Sequence, residues 1–166
     1  MDKKEYRRNA KAMIYLISCI INNRTPDKEK LQTIKLSQLY FVCEKHNLTA
    51  CTAYALESAG IDDHEFKQAK EKAIRKNILL DAERSKIFAR FERENIKYMP
   101  LKGAILKDYY PRSSMRQMSD NDILIDSKRR EDTKNIMLEY GFKATPHISH
   151  FLKRDKEKLP ARTPEA

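Results

Sequence analysis

Met115-Arg-Gln-Met-Ser-Asp-Asn-Asp-Ile-Leu-Ile-Asp126 places two carboxylates, Asp120 and Asp122, just ahead of a short apolar run. Ile123-Leu124-Ile125 reads as a buried strand, with Asn121 as its first residue. On a strand, side chains two apart leave the same face. Asp120 and Asp122 are therefore expected to aim at one point. Carboxylates so placed repel each other unless a cation lies between them. Hard oxygen donors suit Mg²⁺ or Mn²⁺, and Mg²⁺ held by one or two carboxylates commonly acts on a phosphate-bearing substrate.

Upstream of this stretch, Ile96-Lys97-Tyr98-Met99 reads as a short strand ended by Pro100. Leu101-Lys102-Gly103 forms a turn, and Ala104–Tyr110 makes one or two helical turns. Glycine at a strand-to-helix junction lets another group approach the backbone. The N–H groups that open a helix attract phosphate, and Lys102 adds a cation beside them. Pro111–Ser114 reads as a loop. Arg116, on the approach to the aspartates, is a candidate phosphate contact. Downstream, Asp126 or Ser127 opens a helix that runs to about Tyr140 and ends at Gly141. Phe142–Ala144 and Ile148–Leu152 are two further candidate strands. An anion cradle and a metal-binding carboxylate pair are the parts that phosphoryl transfer requires.

The N-terminal region has a different grammar, helix after helix. Ala10, Met13, Ile14, Ile17, Ile20 and Ile21 fall at helical spacing. Thr25-Pro26-Asp27 breaks the chain. Leu36, Leu39, Tyr40 and Cys43 repeat the pattern up to His46-Asn47. Thr49 is positioned to cap a third helix that ends before Gly60. Asp62 followed by Glu65 resembles a capping box that would start a charged helix reaching Glu94, bent or broken near Asn77.

The chain of 166 residues carries 34 basic and 24 acidic groups, a net charge of +10 that favours a polyanionic partner. The excess of base is spread along the chain, and the aromatics are not interleaved with it as in RNA-binding modules. A basic helical RNA-binding module is thus the last-ranked reading. Cys19, Cys43 and Cys51 lack metal-ligand spacing and read as buried thiols, which fits a reducing cytoplasm. The apolar run Ala12–Ile21 is too short to span a bilayer and lacks a cleavage site, so no membrane partner is expected.

The segment Met99-Pro-Leu-Lys-Gly-Ala-Ile-Leu, then Tyr110-Pro111, then Met115–Asp126 resembles the signature of the uncharacterised nucleotidyltransferase family, within the DNA polymerase β-like nucleotidyltransferase superfamily. The resemblance covers residues 96–126 most strongly and continues more weakly to Gly141-Phe142. It implies a mixed sheet with helices, a nucleoside triphosphate substrate, and metal-dependent transfer of a nucleotidyl group to an acceptor hydroxyl or phosphate. By position, Asp120 and Asp122 would hold the metals, and Lys102, Gly103, Ala104 and Arg116 would meet the triphosphate. The superfamily often has Gly-Ser at the turn, where this chain has Gly103-Ala104. The resemblance also implies a third carboxylate on a later strand. Pro146-His147-Ile-Ser-His150-Phe151 fits the approach to it, but the polar stretch after Leu152 does not read as that strand, and Asp155 is a poor substitute.

The expectation is an α+β chain. An all-helical region over residues 1–95 would pack on a small mixed-sheet nucleotidyltransferase core over residues 96–154, followed by a polar tail over residues 155–166. The first functional reading is a cytoplasmic, Mg²⁺- or Mn²⁺-dependent nucleotidyltransferase acting on a small molecule, a protein or RNA. The alternative is a catalytically incomplete fragment or pseudoenzyme that binds nucleotide or a protein partner without turnover. An open sheet edge would favour a homodimer.

Overall fold

The computed structural model describes residues 1–144 and 152–154. Its elements in chain order are α1 (Lys3–Ile21), α2 (Leu36–Lys45), α3 (Thr49–Ser58), α4 (His64–Arg93), β1 (Tyr98–Pro100), α5 (Gly103–Leu106), β2 (Ile123–Ile125), α6 (Arg130–Glu139), β3 (Phe142–Ala144) and β4 (Leu152–Arg154). Short 3₁₀ turns occupy Glu29–Leu31, Lys107–Tyr109, Ser113–Met115 and Ser127–Arg129. Helix predominates and the strands are few and short, as an α+β chain requires. Among the described residues no helix is long and apolar enough to cross a membrane.

The chain divides into two compact units. The first comprises Met1–Arg84 with Pro100–Asp122, and the second Ser85–Met99 with the described residues from Ile123 on. The boundary expected near residue 95 falls inside the second unit, and α4 contributes its N-terminal part to the first.

In the first unit α1, α2, α3 and the start of α4 enclose one core. Leu16, Leu39, Val42, Cys43, Ala55 and Leu56 are buried there with Phe66. α3 is the central element: Thr49 through Leu56 are all buried. Asp2 and Glu5 form a reciprocal capping box that starts α1. The buried face of α1 is Asn9, Met13, Leu16 and Cys19, whereas Ile14 and Ile21 lie exposed. Of the expected stripe, Met13 is buried and Ala10, Ile17 and Ile20 pack half-buried against the core, so the stripe fails at Ile14 and Ile21. α1 is apolar almost all round from Ala12 to Ile21, so its own pattern cannot choose a face, and contact with α2 and α3 chooses it.

α4 runs through Asn77 without the break expected there. The Asn77 side chain turns inward instead, donating to the Ser113 carbonyl at 3.1 Å. The start of α4 is capped by Asp63, whose carboxylate accepts from the Phe66 N–H at 3.1 Å, rather than by Asp62. Asparagines in the left-handed region end three helices: Asn23, Asn47 and Asn95 have φ of 52°, 55° and 52°. In each case the next residue's N–H bonds a carbonyl five residues back, as Ile96 does to Phe91 at 2.8 Å. A chain with three glycines uses asparagine for this, the non-glycine residue that tolerates the conformation best.

In the second unit Ile87, Phe91, Ile96 and Ile136 are buried, and Tyr98, Ile123, Ile125 and Phe142 pack around them. β1 pairs with β2. Only one face of β2 is covered: Leu124 is exposed, so this strand is not buried on both sides as its apolar run implied. Asp126 caps the following turn by accepting from the Lys128 N–H at 3.0 Å, as expected.

β3 pairs antiparallel with β4, Phe142 opposite Arg154 and Ala144 opposite Leu152. The stretch after Leu152 thus does begin as a strand despite its polar sequence. Among the described residues the sheets are two separate two-stranded pairs. Most of the expected strand Ile148–Leu152, with His147 and His150, lies outside the described residues, as do Asp155 and the polar tail.

Candidate functional site

All six residues singled out from the sequence fall in the first unit. The segment that carries the aspartates is fastened to α3 and α4 by side chains. Met115 is buried against Cys51 and Tyr54. The Tyr54 hydroxyl meets Ser114 Oγ at 2.7 Å. Gln117 Oε1 accepts from the Ala50 N–H at 3.1 Å and from Thr49 Oγ1 at 3.0 Å. Thr49 was expected to cap α3 itself. The first residue of the helix is Thr49 and its N-cap is Leu48, which has no side-chain oxygen. Gln117 from the aspartate segment supplies the missing acceptor.

Asp120 and Asp122 lie ahead of β2, not on it, because the strand begins at Ile123. Asn121 explains the difference. Its Nδ2 donates to the Leu80 carbonyl at 3.0 Å, and its Oδ1 accepts from Arg84 Nη1 at 3.0 Å. These bonds tie the chain to α4 where strand pairing would otherwise begin. The two-residue rule for strands therefore does not set the directions of the two carboxylates.

Asp122 is joined to the glycine turn at both ends. Its carbonyl accepts from the Leu101 N–H at 2.9 Å, and its Oδ2 lies 3.1 Å from Lys102 Nζ. The Asp122 side chain is 15% exposed and that of Lys102 73%, so the carboxylate is sheltered and its cation is free to move in solvent. Asp120 is exposed, and Ser119 Oγ donates to its Oδ1 at 3.0 Å.

Lys102 precedes α5 with φ 45° and ψ −109°. A lysine pays strain there that glycine would not. Gly103 serves a different need: a Cβ on it would lie 3.1 Å from Cε of buried Met118. The glycine thus lets the turn rest against the aspartate segment. Ala104 is buried behind it.

The N–H groups of Ala104, Ile105 and Leu106 already bond the carbonyls of Leu101 and Lys102. Among the described residues this leaves the Lys102 and Gly103 N–H groups without an acceptor. The phosphate cradle expected along the helix start narrows to these two. Among the described residues Arg116 forms no ion pair with either aspartate, and its Nε is buried without a partner. It is a guanidinium with unused donors. The structure thus joins Lys102 to Asp122 and Gly103 to Met118. Asp120 and Arg116 make no hydrogen bond or ion pair with the other four.

The sequence reading missed the polar face of α4. Asn77, Asp81 and Arg84 are spaced four and three residues apart, so they share one face of the helix. Lys107, 6% exposed at its side chain, pairs with Asp81 and reaches Asn77 Oδ1 at 3.4 Å. Arg84 Nη2 meets the same carboxylate at 2.7 Å. The helical spacing was the available signal. Among the described residues, no group of three or more His, Cys, Asp or Glu is arranged to hold a metal.

No curated protein and no solved structure matches the chain. A family model described as uncharacterised nucleotidyltransferase matches residues 32–162, most of the chain and all of the site just described. The chain belongs to the uncharacterised nucleotidyltransferase family.

Proposed function

We propose that the protein transfers a nucleotidyl group from a nucleoside triphosphate to an acceptor hydroxyl or phosphate, with Mg²⁺ or Mn²⁺ held by Asp120 and Asp122. The observation that carries this reading is the close joining of the Lys102–Gly103 turn to Asp122 within a chain of this family.

The donor set fits such an ion. Asp122 presents a sheltered carboxylate paired, among the described residues, with a solvent-exposed lysine, and Asp120 presents an exposed one. A hard divalent ion bound by two carboxylates completes its shell with water and substrate phosphates. When bound, the ion would offset charge on the phosphates and polarise the α-phosphorus.

The chain's own residues would do the rest. The free Lys102 and Gly103 N–H groups would donate to a phosphate oxygen, and Ala104 would back the turn. Lys102 Nζ, released from Asp122 by the arriving cation, would turn to the triphosphate. Arg116 would bring a second positive charge. In the reaction the acceptor oxygen forms a bond to the α-phosphorus, the bond to the bridging oxygen breaks, pyrophosphate leaves with the electron pair, and the proton of an acceptor hydroxyl passes to water. The acceptor is a small molecule, a protein or RNA.

Incubation with each nucleoside triphosphate labelled at the α-phosphate, together with a cell extract as acceptor source, tests the reading. Label should appear in an acceptor only with divalent cation present, and only with both aspartates intact. Label transfer that persists in an Asp120→Ala, Asp122→Ala double variant contradicts it.

A second reading has its own observation. The described residues supply no third carboxylate to the pair. A nucleotide-binding protein without turnover would bind Mg²⁺ and triphosphate through the same residues and release no pyrophosphate.

A further inference from the structure

The segment between Gln117 and Asp122 has no regular secondary structure. What fixes it is a small number of side-chain bonds, and the one placed between the two aspartates is that of Asn121. We propose that Asn121, gripped by Arg84 and the Leu80 carbonyl, is a positioning residue that holds Asp120 and Asp122 ready for a divalent cation. This rests on the metal-binding reading of the aspartates given above.

The geometry of the grip is specific. A guanidinium can only donate and a carbonyl can only accept. The Asn121 amide therefore has one orientation that satisfies both, with Oδ1 at 3.0 Å from Arg84 Nη1 and Nδ2 at 3.0 Å from the Leu80 oxygen. Hydrogen bonds that involve a charged group are the stronger kind. Arg84 is itself held, since its side chain is 13% exposed and Nη2 lies 2.7 Å from Asp81 Oδ1.

Asp81 also takes the ammonium of buried Lys107. Two cations thus share one carboxylate, and a net positive charge stands behind Asn121. The linkage runs from α4 through one amide to the backbone between the metal-binding side chains. Outer residues of this kind orient ligands, and their loss typically weakens metal binding about 10–100-fold.

The test measures Mn²⁺ affinity by the electron paramagnetic resonance signal of the free ion. The full chain is titrated in the presence of nucleoside triphosphates that carry a non-hydrolysable bridge between the α and β phosphates. Asn121→Leu, Arg84→Met, Arg84→Lys and the Asn121→Leu, Arg84→Met double variant are compared with wild type, with Asp122→Asn as the control. Thermal unfolding is recorded for each.

Asn121→Leu and Arg84→Met should each weaken Mn²⁺ binding about tenfold or more. The double variant should be little worse than either single, because both cut one linkage. Arg84→Lys should recover part of the affinity. If Asn121→Leu does not fold, the contrast between Arg84→Met and Arg84→Lys carries the test. Wild-type affinity in both single variants, with binding lost in Asp122→Asn, overturns the positioning role and leaves the metal site standing. Equal binding by wild type and Asp122→Asn overturns the site and the positioning role together.

Discussion

Lys102 and Asp122 form an ion pair at 3.1 Å, although the lysine backbone occupies a region that ordinarily belongs to glycine. The strain and the charge can be separated by substitution. Lys102→Gly and Lys102→Ala both lose the ammonium, but only glycine relaxes the backbone. Lys102→Gly should be more stable than Lys102→Ala by about 1–2 kcal/mol in denaturant unfolding. Equal stabilities would show that the turn is not strained.

Gln117 closes the N-terminus of α3 from a distance in sequence. Removing its acceptor in Gln117→Ala leaves the Ala50 N–H and the Thr49 hydroxyl buried without a partner. A loss of about 1–2 kcal/mol follows from the cost of a lost cap and of unpaired buried donors. Gln117→Glu keeps the acceptor and adds negative charge at a helix N-terminus, so it should restore most of the stability. No loss in Gln117→Ala would remove this anchor from the account.

The Asp81–Lys107 pair is asymmetric, with side chains 39% and 6% exposed. Asp81→Ala strands a buried ammonium and should cost about 2–3 kcal/mol, less than the roughly 3–5 kcal/mol of a fully buried pair because Asp81 touches solvent. Lys107→Met leaves a carboxylate that still has Arg84 and water, so it should cost less. Urea unfolding of both variants checks the order, and the reverse order would contradict it.

How much was legible in the sequence varies from element to element. α2, α3, the charged α4 and the turn around Gly103 could be read from spacing and from Gly and Pro, although the caps of α3 and α4 fell to Gln117 and Asp63 rather than to Thr49 and Asp62. The edges of the inward face of α1, Ile14 and Ile21 outside and Leu16 and Cys19 inside, could not, since an almost wholly apolar stretch takes them from its neighbours. The placement of Asp122 ahead of β2 was hidden too, because Asn121 beside it bonds to a helix about forty residues earlier. Local period describes how a segment behaves alone. Gln117 and Asn121 act through long-range bonds that leave no mark in their own neighbourhood. Lys107, an ordinary lysine by sequence, is buried only because Asp81 and Asn77 face it.

Burial pushes the thiols of Cys43 and Cys51 up to about 11. For both, desolvation is the larger cause, opposed at Cys43 by its hydrogen bond to Thr52 and reinforced at Cys51 by Cys43. In the unfolded chain they titrate from the ordinary value of 9.0, so between pH 9.0 and about 11 the folded state holds more protons. Stability is full below that window and falls as pH rises through it. Thermal unfolding from pH 8 to 11 should show this decline, reduced in a Cys43→Ala, Cys51→Ala variant. In the folded protein near pH 8 both thiols should react with a disulfide reagent no faster than the chain opens. Rapid labelling under native conditions would contradict their burial.

The central claim is that Asp122, beside the Lys102–Gly103 turn, serves nucleotide chemistry. Mg²⁺-dependent pyrophosphate release from nucleoside triphosphates, compared between wild type and Asp122→Asn in the presence of acceptor, tests it most directly. The account predicts release by wild type, none without divalent cation, and a loss of at least about a hundredfold in Asp122→Asn, as loss of a carboxylate that would hold the charge-stabilising cation requires. Undiminished release by Asp122→Asn, or none by wild type with any of the triphosphates, would contradict it.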